Sequence, residues 1–146
     1  ASATELATDS QPFADLCDAA MAMTAHVVYE AWDPHHCASV SPLIIEQQIR
    51  DRMGFEGLLM SDDLDMKALS GTLADRAAAV LHAGCDIALN CWGRLDDMEA
   101  IANRVAPMPG LSLSRLARAC AHVGVTTDTP ALRHRIEALL DRRDAR

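Results

Sequence analysis

The stretch of sequence that decides the fold is Gly54-Phe-Glu-Gly-Leu-Leu-Met-Ser-Asp-Asp-Leu-Asp-Met66. Within it, residues 57–61 form a short apolar run centred on Leu-Leu-Met, which is the length of a buried strand. Gly54 is typical of a residue that ends a helix, so the strand is expected to follow a helix. Asp62 and Asp63 come directly after the strand and give its carboxyl end two carboxyl groups.

The segments on either side of this stretch alternate in the same way. Two more apolar runs, residues 22–28 and 85–90, predict strands. Caps, prolines and helical periodicity predict the end of a helix at 15–20 and further helices at 41–52, 72–82, 95–105, 113–122 and 130–142. Short strands that alternate with longer helices are typical of βαβ units, so the sequence predicts an α/β fold with a parallel sheet.

The composition is that of a folded globular domain. Half of the 146 residues are hydrophobic and 23% are charged, which excludes disorder as the main state. No run approaches the ~18 apolar residues of a membrane span. The formal charge of 13 − 21 = −8 argues against a nucleic-acid partner, because phosphate binding needs a basic surface.

The five cysteines are widely spaced and include no Cys-x-x-Cys pair, so neither a disulfide framework nor a zinc site is expected. Small buried side chains in a reducing compartment are the simpler interpretation, which favours a cytoplasmic protein. The cysteines are Cys17, Cys37, Cys85, Cys91 and Cys120.

Polar side chains follow each predicted strand, at the sheet edge where parallel α/β proteins collect their functional groups. They belong to Thr24, His26, Ser61, Asp62, Asp63, Asn90, Cys91 and Trp92. Alternation along the second strand puts Asp62 on the face of Met60 and Asp63 on the opposite face. If the first face lines a barrel, Asp62 lies at its open end with His26 nearby, and Asp63 faces the helical layer.

Each candidate also has a purely structural interpretation. Asp62 at a strand end is typical of a turn or helix cap, and His26 is typical of a hydrogen-bonded buried histidine. Asp62, Asp63 and Asp65 together resemble a divalent-metal cluster, but neighbours along a strand point to opposite faces. The pair His35-His36 has no partner at helical spacing, so no metal site is expected.

Several motifs of this chain occur together in one family. They are Met23-Thr-Ala-His26-Val-Val-Tyr, Leu43-Ile-Ile with Ile49-Arg50, the stretch that begins at Gly54, Arg76-Ala, and Ala83-Gly84-Cys85-Asp86. This set resembles glycoside hydrolase family 3, in particular the bacterial β-N-acetylhexosaminidases (β-N-acetylglucosaminidases) of peptidoglycan recycling. The resemblance covers about residues 15–106, and Gly-Phe-x-Gly-x-x-x-Ser-Asp-Asp-Leu-x-Met is its most specific part.

The resemblance implies a (β/α)8 TIM barrel and a retaining exo-glycosidase that removes terminal β-linked N-acetylglucosamine. The family's nucleophile falls on Asp62, and His26 would line the sugar pocket as a substrate-binding residue. The implied substrate is a small carbohydrate, an N-acetylglucosamine-containing muropeptide. The resemblance further implies no cofactor, no nucleic-acid or membrane partner, and a monomer when the protein is full length.

One part of the family pattern is missing from this sequence. In the family, the acid/base is a His–Asp dyad near the motif Lys-His-x-Pro-Gly-His-Gly. That motif is absent from this sequence, whose single lysine is Lys67 and which contains no Pro-Gly-His. No residue of this chain is therefore assigned as the acid/base that retaining chemistry requires.

A barrel of this type needs ~250 residues, which leads to an expectation about domain organisation. Residues 1–106 are expected to be the C-terminal half of the catalytic barrel, with its last three strands, and residues 107–146 a trailing helical segment. The chain is then the C-terminal part of a longer protein and inactive by itself. An open sheet would make the isolated chain unstable or aggregating, which a cooperative melt of a monomer would contradict.

Two other functions stay open at this point. The chain is alternatively a non-catalytic remnant that acts as a sugar-binding or interaction module, and the DNA upstream of Ala1 would distinguish the two. An in-frame Lys-His-x-Pro-Gly-His-Gly segment there favours the enzyme, and a stop and start codon favours the remnant. A metal-dependent hydrolase using Asp62 and Asp65 would be excluded by full activity in excess chelator.

Overall fold

The chain folds as an α/β protein, for which the computed structural model describes residues 1–121 and 133–134. Strands β1 (Met21–Met23) and β2 (Leu58–Met60) pair in parallel, with Met21 opposite Leu58. The helices are α1 (Ala3–Asp9), α2 (Gln11–Ala14), α3 (Leu73–Ala83), α4 (Leu95–Arg104) and α5 (Gly110–Ala121), with a 3₁₀ turn at Ala38–Val40 and a π-helix at Ile44–Arg52. All but two residues of the helix predicted at 130–142 lie outside the described residues.

The third predicted strand, residues 85–90, is reduced to one parallel bridge between Met60 and Ile87. On both segments, a side-chain oxygen accepts a backbone N–H that would bond to a carbonyl in a regular ladder. Asp86 Oδ2 accepts from the Leu59 N–H at 2.9 Å, and Ser61 Oγ accepts from the Leu89 N–H at 3.1 Å. Because side chains take these backbone donors, a regular ladder does not form. The prediction of three strands is therefore corrected to two strands and a bridge, and the first strand is shorter than predicted.

The helix after Gly71 follows its sequence signals closely. The Thr72 Oγ1 accepts from the Asp75 N–H at 3.2 Å, and Gly84 ends α3 with φ of 114°, a left-handed conformation that suits glycine. Ser41 caps the predicted helix at 41–52 in the same manner, since its Oγ accepts from the Ile44 N–H at 3.1 Å. That helix is wound as a π-helix over most of its length, which its sequence did not predict.

The core lies between the sheet and the helices that follow each strand. α3 packs on α4 and on the 3₁₀ turn, and α5 packs on β2. The buried cluster consists of Cys37, Ile45, Phe55, Leu59, Leu64, Leu69, Ala77, Val80, Ala83 and Cys85. No helix in residues 1–121 has the length and hydropathy that a membrane crossing requires.

The outer edge of β1 has no neighbouring strand within the described residues. Met21, Met23, Phe13 and Leu16 are exposed around it, and a largely apolar cavity of about 700 Å³ lies beside the strand. Unpaired edges with apolar neighbours promote association between chains. The expectation that the isolated chain aggregates stays a prediction, and this edge is the surface on which association would begin.

Gly57, directly before β2, lies close to the backbone of the segment that precedes β1. A Cβ at Gly57 would lie 2.5 Å from the Ala19 carbonyl oxygen and 2.6 Å from Phe55 Cζ. We expect Gly57→Ala to lower the free energy of unfolding by about 1–3 kcal/mol, because backbone has to move. Denaturant unfolding of the protein expressed from its complete reading frame measures this. Gly110→Ala is the control, since no atom lies within 4 Å of that added Cβ; equal losses for both variants would contradict the explanation.

Candidate functional site

Asp62 is the second residue after β2, separated from it by Ser61, and it is half-buried. Its Oδ1 accepts from the Asp63 N–H at 2.8 Å. The fully buried Ser61 donates through Oγ to the Asp62 carbonyl at 2.8 Å. The backbone is therefore held on both sides of the carboxylate. Within the described part of the chain, the Asp63 N–H is the only hydrogen-bond donor to this side chain, so Oδ2 accepts no hydrogen bond from these residues.

Asp63 is used differently, although it is the next residue. Its Oδ1 accepts from the Cys91 N–H at 3.1 Å and from the Asp65 N–H at 3.3 Å. These bonds tie the segment after β2 to the segment after residues 85–90. The two neighbouring carboxylates thus differ in their partners. The Asp63 carboxylate accepts hydrogen bonds from two loop amides, whereas the Asp62 carboxylate accepts one, from the Asp63 N–H.

The loop after Asn90 is fastened to the same place. Asn90 Nδ2 donates to Asp65 Oδ2 at 2.9 Å, and Asn90 Oδ1 accepts from the Gly93 N–H at 3.0 Å. Trp92, between them, is 72% exposed. Partial desolvation, followed by the charge of the Asp63 carboxylate, raises the pKa of the Cys91 thiol. Cys91 is therefore a poor candidate for a nucleophile, because the thiolate is the reactive form.

His26 lies beyond β1 and reaches the Asp63 segment. Its Nε2 is 3.0 Å from the Asp63 carbonyl oxygen, and its Nδ1 is 2.8 Å from Ser39 Oγ. Ser39 Oγ is in turn 2.7 Å from Thr24 Oγ1. The structure thus brings His26 into contact with the residue after Asp62, with both ring nitrogens within hydrogen-bond distance of protein atoms. Because β1 ends at Met23, strand alternation does not account for this position. Ser39 did not emerge from the sequence, since nothing local marks a serine in a loop as the partner of a distant histidine.

Asp33 organises the loop between β1 and the π-helix and was also missed from the sequence. Its carboxylate is buried and accepts from the His35 N–H at 2.9 Å and from Ser41 Oγ at 2.7 Å. His36 donates to it through its backbone N–H at 3.2 Å, and His36 Nδ1 is 3.1 Å from Oδ2. A signal was present, because Asp-Pro followed by two free amides is typical of an Asx turn.

The Asp33 carboxylate predicts a dependence of stability on acid pH. Hydrogen bonds from the Ser41 hydroxyl and then the His35 amide lower the pKa of Asp33 from 3.8 to about 2. A carboxyl whose pKa is depressed on folding stabilises the fold above its unfolded pKa, and that contribution disappears as the pH falls toward the folded pKa. We expect Asp33→Asn to be less stable than wild type at neutral pH. The difference should shrink between about pH 4 and pH 2; a constant difference across pH titrations of unfolding would contradict this.

No three His, Cys, Asp or Glu side chains within residues 1–121 and 133–134 are grouped so that they could hold a metal ion. Asp65 is bonded to Asn90, and Asp63 to backbone amides. The alternative of a metal-dependent hydrolase centred on Asp62 and Asp65 therefore has no cluster to rest on in this part of the chain.

Comparisons with known proteins agree on one family. The model of the glycosyl hydrolase family 3 N terminal domain matches residues 3–124. A beta-hexosaminidase of Thioalkalivibrio sulfidiphilus is 39% identical over 127 residues, and one of Chromobacterium violaceum is 42% identical over 115 residues. Among solved structures, NagZ from Neisseria gonorrhoeae in complex with N-trifluoroacetyl-D-glucosamine is similar with a TM-score of 0.69 and 34% identity.

These matches cover most of this chain but a small part of each relative. The alignments span 84% and 75% of this chain, against 36% and 32% of the two beta-hexosaminidases. The NagZ match spans 82% of this chain and 36% of that structure. The chain thus corresponds to about a third of the length of the curated relatives that it matches.

Proposed function

The chain belongs to glycosyl hydrolase family 3, and we therefore propose that it carries the nucleophile of a retaining exo-glycosidase. The proposed reaction removes terminal β-linked N-acetylglucosamine, or another N-acetylhexosamine, from peptidoglycan-derived sugars. Relatives named beta-hexosaminidase support the reaction class, and a NagZ structure bound to an N-acylated glucosamine supports the sugar class. The protein is proposed to act in the cytoplasm, as a monomer, on a small carbohydrate.

The observation that carries the proposal is the state of Asp62. It lies two residues after β2, on a backbone held by Ser61 and Asp63. It is half-buried, and one of its oxygens accepts no hydrogen bond from the described residues. A nucleophilic carboxylate needs a rigid strand end and access to the substrate. We accordingly propose that residues 1–106 form the C-terminal half of a (β/α)8 barrel, including its last three strand positions, with residues 107–146 as a trailing segment.

The proposed chemistry begins with attack of an Asp62 oxygen on the anomeric carbon. The bond from that carbon to the leaving oxygen breaks, and its electron pair departs with the leaving group. The resulting glycosyl ester is later hydrolysed by water, which restores the carboxylate and gives net retention. Natural alcohol leaving groups need a proton from a general acid. The sequence contains no Lys-His-x-Pro-Gly-His-Gly motif, so no acid/base residue is proposed among these 146 residues.

An activated substrate separates the nucleophile from the acid. A dinitrophenyl leaving group departs as the phenolate and needs no proton, so 2,4-dinitrophenyl β-N-acetylglucosaminide reports glycosyl transfer to the nucleophile alone. The experiment incubates this probe with the protein expressed from its complete reading frame and follows dinitrophenolate release. Peptide mapping by mass spectrometry after acid quenching is expected to find one N-acetylhexosaminyl group on the peptide that contains Asp62.

The same experiment distinguishes the enzyme from a non-catalytic sugar-binding module. A binding module would retain affinity for N-acetylglucosamine but would release no dinitrophenolate above the spontaneous rate and carry no label. A label on any residue other than Asp62 would contradict the assignment of the nucleophile while leaving the reaction class in place.

A further inference from the structure

We propose that His26 is a positioning residue for Asp62, and that it acts through the main chain of Asp63 rather than on the sugar. The inference rests on the proposed function of Asp62 as nucleophile. Its basis is the contact of both His26 ring nitrogens with protein atoms, at 2.8 Å and 3.0 Å. A histidine whose two nitrogens are both engaged has none left for a substrate hydroxyl.

The direction of these hydrogen bonds follows from their partners. The Asp63 carbonyl only accepts, so Nε2 of His26 carries the proton and donates to it. In the neutral ring Nδ1 is then an acceptor, and the Ser39 hydroxyl donates to it. Ser39 Oγ, having used its proton, accepts from the Thr24 hydroxyl. The donors and acceptors therefore form one continuous series of hydrogen bonds from Thr24 through Ser39 and His26 to the backbone of Asp63.

Thr24 and Ser39, at one end of this series of hydrogen bonds, are held in place by their burial. Ser39 is 0% exposed and lies in the 3₁₀ turn Ala38–Val40, and Thr24 is buried directly after β1. The Cys85 thiol donates to the Ser39 carbonyl at 3.9 Å, a long contact that sulfur permits. The imidazole is thus held from the β1 side and spans to the segment after β2. A half-buried ring in this setting has one orientation in which every polar atom is satisfied.

At the other end of the series, His26 is connected to the proposed nucleophile Asp62 through Asp63. His26 fixes the Asp63 carbonyl, and the N–H of that same residue donates to Asp62 Oδ1 at 2.8 Å. The Asp63 side chain is bonded to the Cys91 N–H, so the residue is held at three points. The Asp63 carbonyl belongs to the peptide that joins Asp63 to Leu64, which is also held by the Leu64 N–H donating to the Leu89 carbonyl at 2.8 Å. Removing the His26 contact takes away one of these two bonds, so that rotation about the Asp63 Cα shifts the adjoining N–H that points at the Asp62 carboxylate. A displacement of about 1 Å at a reacting group costs on the order of 10²-fold in rate.

Two substitutions of His26 separate its ring nitrogens. The amide nitrogen of glutamine takes the place of Nε2, so His26→Gln keeps the donor to the Asp63 carbonyl. The amide oxygen of asparagine takes the place of Nδ1, so His26→Asn keeps the contact with Ser39 but loses the donor. Each variant is made in the complete reading frame and labelled with 2,4-dinitrophenyl β-N-acetylglucosaminide over a range of concentrations. The readouts are the maximal labelling rate constant and the probe concentration at half that rate.

A positioning role predicts a specific split between these readouts. We expect His26→Asn to lose on the order of 10²-fold in the maximal rate constant with little change in the half-saturating concentration, and His26→Gln to recover most of the rate. An equal rate for His26→Asn and wild type would overturn the proposal. So would equal losses in both variants, or a change confined to the half-saturating concentration, which indicates contact with the sugar.

Two further measurements keep the result decisive. If His26→Asn does not fold, Ser39→Ala replaces it, because it retains the ring but removes the hydroxyl that orients it. A lower maximal rate constant in Ser39→Ala then supports the role, and an unchanged one overturns it. Absence of label on Asp62 in the wild type would contradict the proposed function itself, whereas label on Asp62 that is indifferent to residue 26 would contradict only the role of His26.

Discussion

Asp62→Asn is expected to abolish transfer of N-acetylglucosamine from the dinitrophenyl probe, with a loss of roughly 10⁴–10⁶-fold in the first-order rate. Asparagine preserves the size of the side chain and an Oδ1 that accepts from the Asp63 N–H, which is 2.8 Å away in the wild type. It removes the negative charge and the nucleophilic oxygen. Because the leaving group needs no acid, no other step is affected, and the loss reports the nucleophile alone.

Asp63→Asn is the matched control for this loss. It makes the same change of charge one residue away and keeps the Oδ1 that accepts from the Cys91 and Asp65 amides. Its effect on the labelling rate should be at least about a hundred-fold smaller than that of Asp62→Asn. If Asp62→Asn still forms a glycosyl ester, or if the two variants lose equally, Asp62 is not the nucleophile.

The fold was predictable from the sequence where short-range signals determine it. Thr72 and Gly84 bracket α3 because a side-chain cap and a left-handed residue act within one turn of the helix. The same local logic was available for α1, whose Ser2 and Glu5 form a reciprocal capping box. Residues 85–90 failed as a strand for a non-local reason: Asp86 takes the Leu59 amide, and apolar patterning does not reveal such a competitor.

The candidate site divides along the same line. Alternation along a strand predicts different faces for Asp62 and Asp63 from their neighbours alone, and this stays a prediction because β2 ends at Met60. What the structure shows is that the two carboxylates have different hydrogen-bond partners. The contact of His26 with Asp63 joins residues 37 positions apart and passes through a backbone carbonyl, which has no side-chain signature. The family resemblance placed His26 in the sugar pocket, whereas the residue alone was typical of a hydrogen-bonded histidine. Both ring nitrogens lie within hydrogen-bond distance of protein atoms, which agrees with the second interpretation.

The largest expected effect on stability is at Asp86, the acid of the Ala-Gly-Cys-Asp motif. Its buried carboxylate lies 2.9 Å from Arg50 Nη2 and 3.2 Å from Arg115 Nη1. It also accepts from the Leu59 amide and, at 2.6 Å, from the Ser112 hydroxyl of α5. Burial by itself would raise the pKa of Asp86, but these hydrogen bonds and the Arg115 charge outweigh it, and the pKa is lowered. One carboxylate thus joins the π-helix, β2 and α5.

Asp86→Ala is expected to lower the free energy of unfolding by about 3–5 kcal/mol. It leaves the largely buried guanidinium of Arg50 without its counter-charge and that of Arg115 with the exposed Glu56 alone. Glu56→Ala is the control on the same arginine. Glu56 is 73% exposed and lies 3.3 Å from Arg115 Nη2, so its removal should cost about 0–1 kcal/mol. Adding Arg115→Met to Asp86→Ala should restore part of the loss, since it removes one uncompensated charge. Denaturant unfolding of the wild type, of Asp86→Ala, Arg115→Met and their double variant, and of the Glu56→Ala control tests this cycle. Losses that are equal for Asp86→Ala and Glu56→Ala, or strictly additive with Arg115→Met, would contradict the view that Asp86 stabilises the fold by neutralising buried arginines.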